Sequence, residues 1–272
     1  MGDSVSDARP VCVLDSGIGG LPYLSWMRAA LPAESFVYIS DTAGFPYGEK
    51  TADELTARVS LLVRWLRDRH NPKACVIACN TASVTSLAAL RDQFPDLPFV
   101  GVVPAVKPAA RITRKAIIGV LATRRTVEDP YLQGLIASFA QDVQVETVGA
   151  GELVRFVEER LYLPEDPRPL LLPFVERFSC SNVDVVVLGC THFIHIAEEL
   201  AGLFGTEVQI IDSRDGVSRQ LQRVIHGQTA RVSAGTTGGA AIAIWYQTAA
   251  IPEIITHNIE RRYAVQAVRI AL

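Results

Sequence analysis

The sequence of 272 residues lacks a long hydrophobic run, and it lacks an excess of charge of either sign. No stretch of about 18 consecutive apolar residues is available to cross a bilayer, and residues 1–10 are polar and acidic, unlike a signal peptide. The 26 basic and 29 acidic residues leave a net charge of −3, which gives no strong field to attract phosphate backbones or anionic lipids. We therefore expect no membrane or nucleic-acid partner and a cytoplasmic protein.

Cysteine is also sparse. Five cysteines form an odd-numbered set at low density, which argues against a disulfide framework and suits a reducing compartment. The sequence has no pair of cysteines separated by two residues, which is the usual mark of structural zinc. A zinc site built on Cys79, Cys190 and His192 is therefore disfavoured, and we expect no metal.

The glycine-rich segment 15–20 lacks the features of a nucleotide-binding loop. Pro22 stands where a dinucleotide fingerprint has its third glycine, and no Walker-type lysine follows. Its glycines still allow a tight turn into a helix whose first amides favour an anion, either phosphate or carboxylate. We expect no nucleotide and no other cofactor.

What is present is a globular composition, with 49% hydrophobic and 20% charged residues. Short runs rich in valine and isoleucine predict buried strands at residues 11–14, 36–39, 74–78, 99–103, 116–121, 143–147, 183–188 and 208–211. Helical spacing of apolar residues predicts helices at residues 21–31, 51–69, 81–94, 129–139, 152–161, 194–203 and 216–225. This alternation predicts an α/β fold with mostly parallel sheets.

A faint internal repeat predicts two similar, doubly wound domains. The separation from Asp15 to Cys79 is nearly that from Thr123 to Cys190, and each of these residues ends a predicted strand. We place the first domain, carrying Asp15 and Cys79, at residues 1–101 plus 209–272. The second, carrying Thr123 and Cys190, spans residues 102–208, and we expect the active site in the cleft between the domains.

The tail at residues 252–272 has apolar residues at helical spacing and predicts one amphipathic helix. We expect this helix to pack on its own core rather than to form a subunit contact. A homodimer is left open.

The residues just after each predicted strand are the candidates for chemistry, because ligands bind at the carboxyl ends of parallel strands. Cys79 and Cys190 both stand between a strand end and a helix start, where amide dipoles lower a thiol pKa. A cysteine at such a place is otherwise a small core hydrophobe. The matched context favours reactive thiols here, whereas Cys12 and Cys75 suit packing and Cys180 falls in a connection.

Three further candidates each have a simpler alternative. Asp15 could exchange a proton with a partner or only cap the following helix. His192 could relay a proton or only make a hydrogen bond. The turn 46–48 could present a phenol and backbone amides to a ligand or be a plain surface turn.

Taken together, six segments resemble the glutamate racemase family in order and spacing. They are DSGIGGL at 15–21, Asp41 with PYG at 46–48, ACNTAS at 78–83, GVVPA at 101–105, GVLAT at 119–123 and LGCTH at 188–192. The resemblance spans roughly residues 11–214. As a combination it is far more specific than any one motif.

The resemblance implies a cofactor-independent enzyme that interconverts L- and D-glutamate and supplies D-glutamate for peptidoglycan. It implies that Cys79 is the base for D-glutamate, assisted by Asp15, and that Cys190 is the base for L-glutamate, assisted by His192. The substrate-binding residues that it implies are Ser16, Pro46, Tyr47, Gly48, Asn80, Thr81, Thr123, Thr191 and Glu158.

Two other functions stay open on the sequence. One is a racemase of aspartate or another small acid on the same scaffold. The other is a ligand sensor without turnover, which the two retained cysteines disfavour.

Overall fold

The computed structural model describes residues 7–160, 166–228 and 243–272, and it divides the chain into two compact units. The first unit comprises Met1–Val102 and Arg214–Leu272, and the second comprises Val103–Ser213.

The described strands are all short. In chain order they are β1 (Val11–Asp15), β2 (Phe36–Ser40), β3 (Ala74–Ile77), β4 (Phe99–Gly101), β5 (Ile117–Ala122), β6 (Gln144–Gly149), β7 (Val185–Leu188), β8 (Gln209–Ile211), β9 (Ala243–Gln247) and β10 (Val265–Arg269).

The helices lie between these strands. They are α1 (Leu21–Ala30), α2 (Ala52–His70), α3 (Asn80–Gln93), α4 (Val106–Ile112), α5 (Arg124–Glu128), α6 (Pro130–Phe139), α7 (Gly151–Arg160), α8 (Arg168–Cys180), α9 (Ala197–Phe204), α10 (Arg214–Gln228) and α11 (Glu253–Tyr263). Within the described ranges, none of them has the length and apolar character needed to cross a membrane.

The first unit is built on a six-stranded sheet with the strand order β10-β9-β2-β1-β3-β4. Every strand pair in it is parallel. All residues of β1 and β3 are buried, which explains why both sequences are continuous apolar runs rather than alternating ones. The sheet confirms the predicted parallel α/β class.

The second unit repeats this design on a smaller scale. Its four-stranded sheet has the order β6-β5-β7-β8, again with parallel pairs throughout. One hydrogen bond marks the correspondence: the Ala78 N–H donates to the Leu14 carbonyl at 2.7 Å, and the Gly189 N–H donates to the Leu121 carbonyl at 2.7 Å. In both units, a residue that directly follows one strand is thus hydrogen-bonded to the adjacent parallel strand in the same way.

Helix α2 shows how local sequence defines an element of the first unit. Thr51 and Glu54 form a capping box at its start, and Asn71 adopts a left-handed conformation at its end. Its buried hydrophobic residues are Leu55, Val59, Leu62, Val63 and Leu66. They pack into the core on one face of the sheet, so α2 is held firmly along its length.

The structure corrects the predicted return to the first domain at residue 209. Strand β8 pairs with β7 and completes the second sheet, so residues 209–213 belong to the second unit. The chain rejoins the first unit at Arg214, where α10 begins and packs against α1. A short apolar run does not show which sheet it joins, because that depends on its strand partner.

The prediction of a single helix over residues 252–272 is wrong. Helix α11 ends at Tyr263, Ala264 takes a φ of 48°, and the chain continues as β10. Ile255 and Ile259 of α11 are buried, as their spacing predicts. Ala267 lies in β10, which pairs with β9, a strand that the sequence patterns missed.

Gly119 of β5 gives a test of packing in the second unit. A Cβ there would lie 2.7 Å from the ring of Phe178, which is itself 1% exposed. We expect Gly119→Ala to lower the free energy of unfolding by about 1–3 kcal/mol, because the ring must shift. Denaturant titration measures this loss.

The matched control is Gly134→Ala on α6, where an added Cβ meets nothing within 4 Å. This change should be neutral or stabilise the protein by up to about 1 kcal/mol, since alanine favours helix. Equal effects of the two substitutions would contradict the packing argument.

Candidate active site

The predicted site residues divide between the two units. The first unit holds Asp15, Ser16, Pro46, Tyr47, Gly48, Cys79, Asn80 and Thr81, and the second holds Thr123, Glu158, Cys190, Thr191 and His192. We call the predicted site residues of one unit its half-site, and most of them follow the carboxyl ends of strands in the sheet of that unit.

In the first unit, Asp15 and Cys79 lie at the carboxyl ends of adjacent parallel strands. Asp15 ends β1 with no exposed surface, and Cys79 precedes α3 with 6% of its surface exposed. The Asp15 carboxylate accepts a 2.7 Å hydrogen bond from the Ser16 N–H. A carboxyl group and a thiol, the two groups predicted to handle a proton, therefore lie at neighbouring strand ends.

Asn80 is the first residue of α3 and is 2% exposed. Among the described residues, neither its amide nitrogen nor its amide oxygen has a hydrogen-bond partner. An unpaired buried amide is costly, so side chains left in this state at a strand end indicate a polar ligand. Asn80 can offer that ligand both a donor and an acceptor.

Side chains of the neighbouring strands hold the glycine-rich loop after β1 in place through hydrogen bonds. The Gly17 carbonyl accepts hydrogen bonds from Tyr38 Oη at 2.7 Å and from Ser40 Oγ at 2.8 Å. Ser40 Oγ in turn accepts a hydrogen bond from Trp245 Nε1 of β9 at 2.8 Å. Three buried side chains thus fix the loop that leads from Asp15 into α1.

The turn at residues 46–48 is anchored through its tyrosine. Tyr47 is 1% exposed, and its Oη donates a 2.8 Å hydrogen bond to Asp41 Oδ2. Burial and the neighbouring Asp41 charge raise the pKa of Tyr47 well above its ordinary value, so the phenol stays protonated. The turn is therefore a fixed part of the half-site and not a plain surface turn.

The second half-site has the same backbone arrangement around its thiol. Cys190 follows β7 and precedes a 3₁₀ helix at Thr191–Ile196, with φ −138° and ψ 135°. The corresponding angles at Cys79 are −137° and 120°. Thr123 follows the adjacent strand β5 and caps α5 by accepting a hydrogen bond from the Thr126 N–H.

His192 links the second thiol to a carboxylate. Its Nδ1 lies 3.9 Å from Cys190 Sγ, and its Nε2 lies 2.8 Å from Glu158 Oε1 on α7. Burial by itself lowers the pKa of His192, but the hydrogen bonds and charges of Cys190 and Glu158 outweigh it and raise this pKa well above the ordinary value. A protonated imidazole beside a thiol favours the thiolate.

Glu158 therefore has a contact that the sequence did not predict. The resemblance implies that it binds substrate, and the structure brings it to the imidazole of His192. Its contact with substrate stays a prediction.

The other three cysteines differ from the two strand-end thiols. Cys12 and Cys75 are in register on neighbouring strands and are almost fully buried. Burial raises the pKa of Cys75 to about 12 and that of Cys12 well above its usual value, which makes both inert. Cys180 is exposed at the end of α8, and all five cysteines are free thiols.

Two residues that the sequence analysis missed contact Asp41, the hydrogen-bond partner of Tyr47. Arg58 of α2 and Thr248, just past β9, both bond to the Asp41 carboxylate. No short-range pattern identifies them, because their partner is distant in sequence. As for metals, the described part of the chain has no group of three or more His, Cys, Asp or Glu side chains arranged to hold one.

Comparison with known proteins gives the class. Residues 23–219 match the Asp/Glu/hydantoin racemase family profile. A glutamate racemase from Proteus mirabilis is 42% identical over 231 residues, which is 83% of this chain and 80% of that protein. With these likenesses, the repeated fold and its paired thiols define an amino-acid racemase. The chain belongs to the Asp/Glu/hydantoin racemase family.

Solved structures agree in fold. Escherichia coli glutamate racemase, crystallised with L-glutamate and the activator UDP-MurNAc-Ala, is 36% identical with a TM-score of 0.83, covering 97% of this chain and 98% of that chain. The glutamate racemase isoform RacE1 of Bacillus anthracis is 27% identical with a TM-score of 0.80, and the match covers 98% of both chains.

The contact between Glu158 and His192 gives a pH prediction. Glu158→Gln should lower the pKa of His192, because the substitution removes a negative charge that favours the imidazolium. Nuclear magnetic resonance titration of the His192 ring measures this shift. Glu152→Gln, an exposed change on the same helix, is the control and should leave the titration unchanged.

The sign of the effect on stability follows from linkage. The folded pKa of His192 lies above its ordinary value of 6.5, so its protonation stabilises the fold below about pH 6.5. This contribution is lost as pH rises through the folded pKa, and Glu158→Gln should move the loss to lower pH. An unchanged titration in this variant would contradict the assigned contact.

Proposed function

We propose that this protein is a glutamate racemase that interconverts L- and D-glutamate without a cofactor. The observation that carries the proposal is the repeated thiol: Cys79 and Cys190 each follow a central parallel strand, with nearly the same backbone angles and 6% exposure. The glutamate racemases that the chain resembles support the choice of substrate. As the resemblance implies, its product would supply D-glutamate for peptidoglycan synthesis.

The reaction needs one proton removed from the α-carbon and one added to the opposite face. In our proposal Cys190, as a thiolate, takes the α-proton of L-glutamate, and the electron pair of the C–H bond passes into the carbanion. Cys79, as a thiol, then gives its proton to the other face, and D-glutamate forms. The reverse reaction uses the same two groups in exchanged roles, so no net proton is consumed.

Each thiol has its own assistant. His192, held by Glu158, lies beside Cys190 and would assist its proton transfer. Asp15 stands at the strand end next to that of Cys79 and would exchange a proton with it. The two half-sites are thus chemically different, with an imidazole in one and a carboxyl group in the other.

The remaining site residues would bind the charged ends of glutamate. Asn80 supports this role most directly, since its buried amide has no hydrogen-bond partner in the part of the chain that the structure describes. Ser16, Thr81, Thr123 and Thr191 offer hydroxyl groups at the same strand ends, and Pro46, Tyr47 and Gly48 offer backbone groups of a fixed turn.

Removing an α-proton without an imine cofactor is strongly uphill. General acid–base catalysis contributes about 10²–10⁴-fold, so preorganised hydrogen-bond donors must stabilise the carbanion and supply much of the rest. The N-terminal amides of α3, which begin directly after Cys79, are such donors. We also propose that the enzyme works in the cytoplasm, where a reducing environment suits its five free thiols.

The first test is the activity itself. Purified protein, with no pyridoxal phosphate or metal added, should bring L-glutamate or D-glutamate to the same mixture of both, as measured by chiral chromatography. Activity that is lost on dialysis against a chelator and restored by zinc would contradict the metal-free mechanism. Faster conversion of aspartate than of glutamate would contradict the proposed substrate.

The second test separates two bases from one. In deuterated water, early product should carry deuterium at the α-carbon while recovered substrate carries little, because a solvent-derived deuteron arrives from the other thiol. Cys79→Ser should abolish racemisation, since serine is a far weaker acid and base, yet leave Cys190 able to exchange the α-proton of an L-configured analogue. Cys190→Ser should show the mirror preference.

Mass spectrometry of substrate and product measures both outcomes. Cys180→Ser, a change at an exposed thiol, is the control and should racemise glutamate at the parent rate. A Cys79 or Cys190 variant that kept near-parent activity would overturn the two-base assignment.

A further inference from the structure

The Asp41 carboxylate is the centre of a buried group of hydrogen bonds at the end of β2. It has no exposed surface, and besides Tyr47 Oη it accepts hydrogen bonds from Arg58 and Thr248. We propose that Arg58 and Thr248 are positioning residues, which hold Asp41 and through it the turn 46–48 in the geometry that binds substrate. The inference rests on the proposed function, and Thr248 lies beyond residues 23–219, which the family profile matches.

Arg58 makes the strongest of these contacts. Its Nε lies 2.8 Å from Asp41 Oδ2 and its Nη2 lies 2.5 Å from Oδ1, so the guanidinium binds both carboxylate oxygens. Such two-point pairs fix direction as well as distance. Because α2 is anchored in the core, the orientation of Asp41 is set by a rigid helix.

Thr248 fixes the same carboxylate from the C-terminal part of the unit. Its Oγ1 donates to Asp41 Oδ1 at 2.7 Å and accepts from the Ala43 N–H at 2.9 Å. Next to it, the Ala249 N–H donates to Thr42 Oγ1 at 2.7 Å. The segment after β9 therefore fixes residues 42–43, which lie between Asp41 and the turn 46–48.

Asp41 also connects this group of hydrogen bonds to Asp15 at the end of β1. Its N–H donates to the Asp15 carbonyl at 2.8 Å, and its carbonyl accepts from the Gly44 N–H at 2.9 Å. A Cβ at Gly44 would overlap Asp41 Oδ2, so the turn is shaped closely around the carboxylate. A shift of the carboxylate must therefore move the turn or Tyr47.

Loss of Arg58 removes the only charged partner that the structure gives to this buried carboxylate in the described residues. A buried carboxylate without its cation is strongly unfavourable, so the group would turn toward water and release Tyr47. Arg58 and Thr248 donate their hydrogen bonds to Asp41, and these bonds go to neither a thiol nor His192. We therefore expect weaker substrate binding with little change in proton transfer.

The experiment compares kinetics of glutamate racemisation for four variants. Arg58→Ala should raise KM about tenfold, the equivalent of one lost charged hydrogen bond, and change kcat less than about twofold. Arg58→Lys should recover part of the loss, because lysine keeps the charge but not the two-point contact. Thr248→Val should raise KM roughly threefold, as for one neutral hydrogen bond.

Arg64→Ala is the matched control, since Arg64 is an exposed residue on the same helix that lies over the ring of Phe94. It should leave KM unchanged. Thermal unfolding of each variant checks that it is folded at the assay temperature, and if Arg58→Ala is not, Arg58→Lys and Thr248→Val decide the question.

A KM in the Arg58 and Thr248 variants equal to that of Arg64→Ala would overturn the positioning role, as would a fall in kcat with KM unchanged. Failure of the parent to racemise glutamate would instead overturn the proposed function. If the parent acts on aspartate, the same comparison of KM is made with aspartate and judges the positioning role on its own.

Discussion

The pairing of adjacent parallel strands is the constraint on which the rest of the structure depends. Parallel pairing brings the carboxyl ends of neighbouring strands to one edge, so β1 and β3 place Asp15 beside the segment of Cys79, and β5 and β7 place Thr123 beside the segment of Cys190. In each pair a backbone hydrogen bond joins the two strands at this edge, from the Ala78 N–H to the Leu14 carbonyl in the first unit and from the Gly189 N–H to the Leu121 carbonyl in the second. Two similar sheets can therefore present similar thiols without any similarity in the side chains that surround them.

In each unit a carboxylate orients a neighbouring side chain of the site in the same physical way. Glu158 orients His192 in the second unit, and Asp41 orients Tyr47 in the first. A carboxylate with little access to water must be satisfied by the protein, so each one fixes the groups that satisfy it. Asn80 is the opposite case, because its buried amide is left for a ligand to satisfy.

Much of the fold was predictable because buried parallel strands and amphipathic helices have strong local patterns. Residues 11–14 and 74–78 were found in this way, and so were the thiols that follow such strands. Strand β9 was missed, and β10 was taken for part of a helix, since the apolar residues of β10 also suit helical spacing. Strand β10 lies at the edge of the sheet and is only partly buried, so its strand pattern is weak.

The sequence by itself determined the α/β class, the repeated design and the strand-end residues that we propose to carry the chemistry, because each depends on the order of residues over a few turns or strands. Only the tertiary structure decided which sheet β8 joins and which side chains meet Asp41 and His192. Thr248 lies 207 residues from Asp41, Glu158 lies 34 residues from His192, and Arg58 lies 17 residues from Asp41. Contacts of that kind arise from packing, and no local pattern records them.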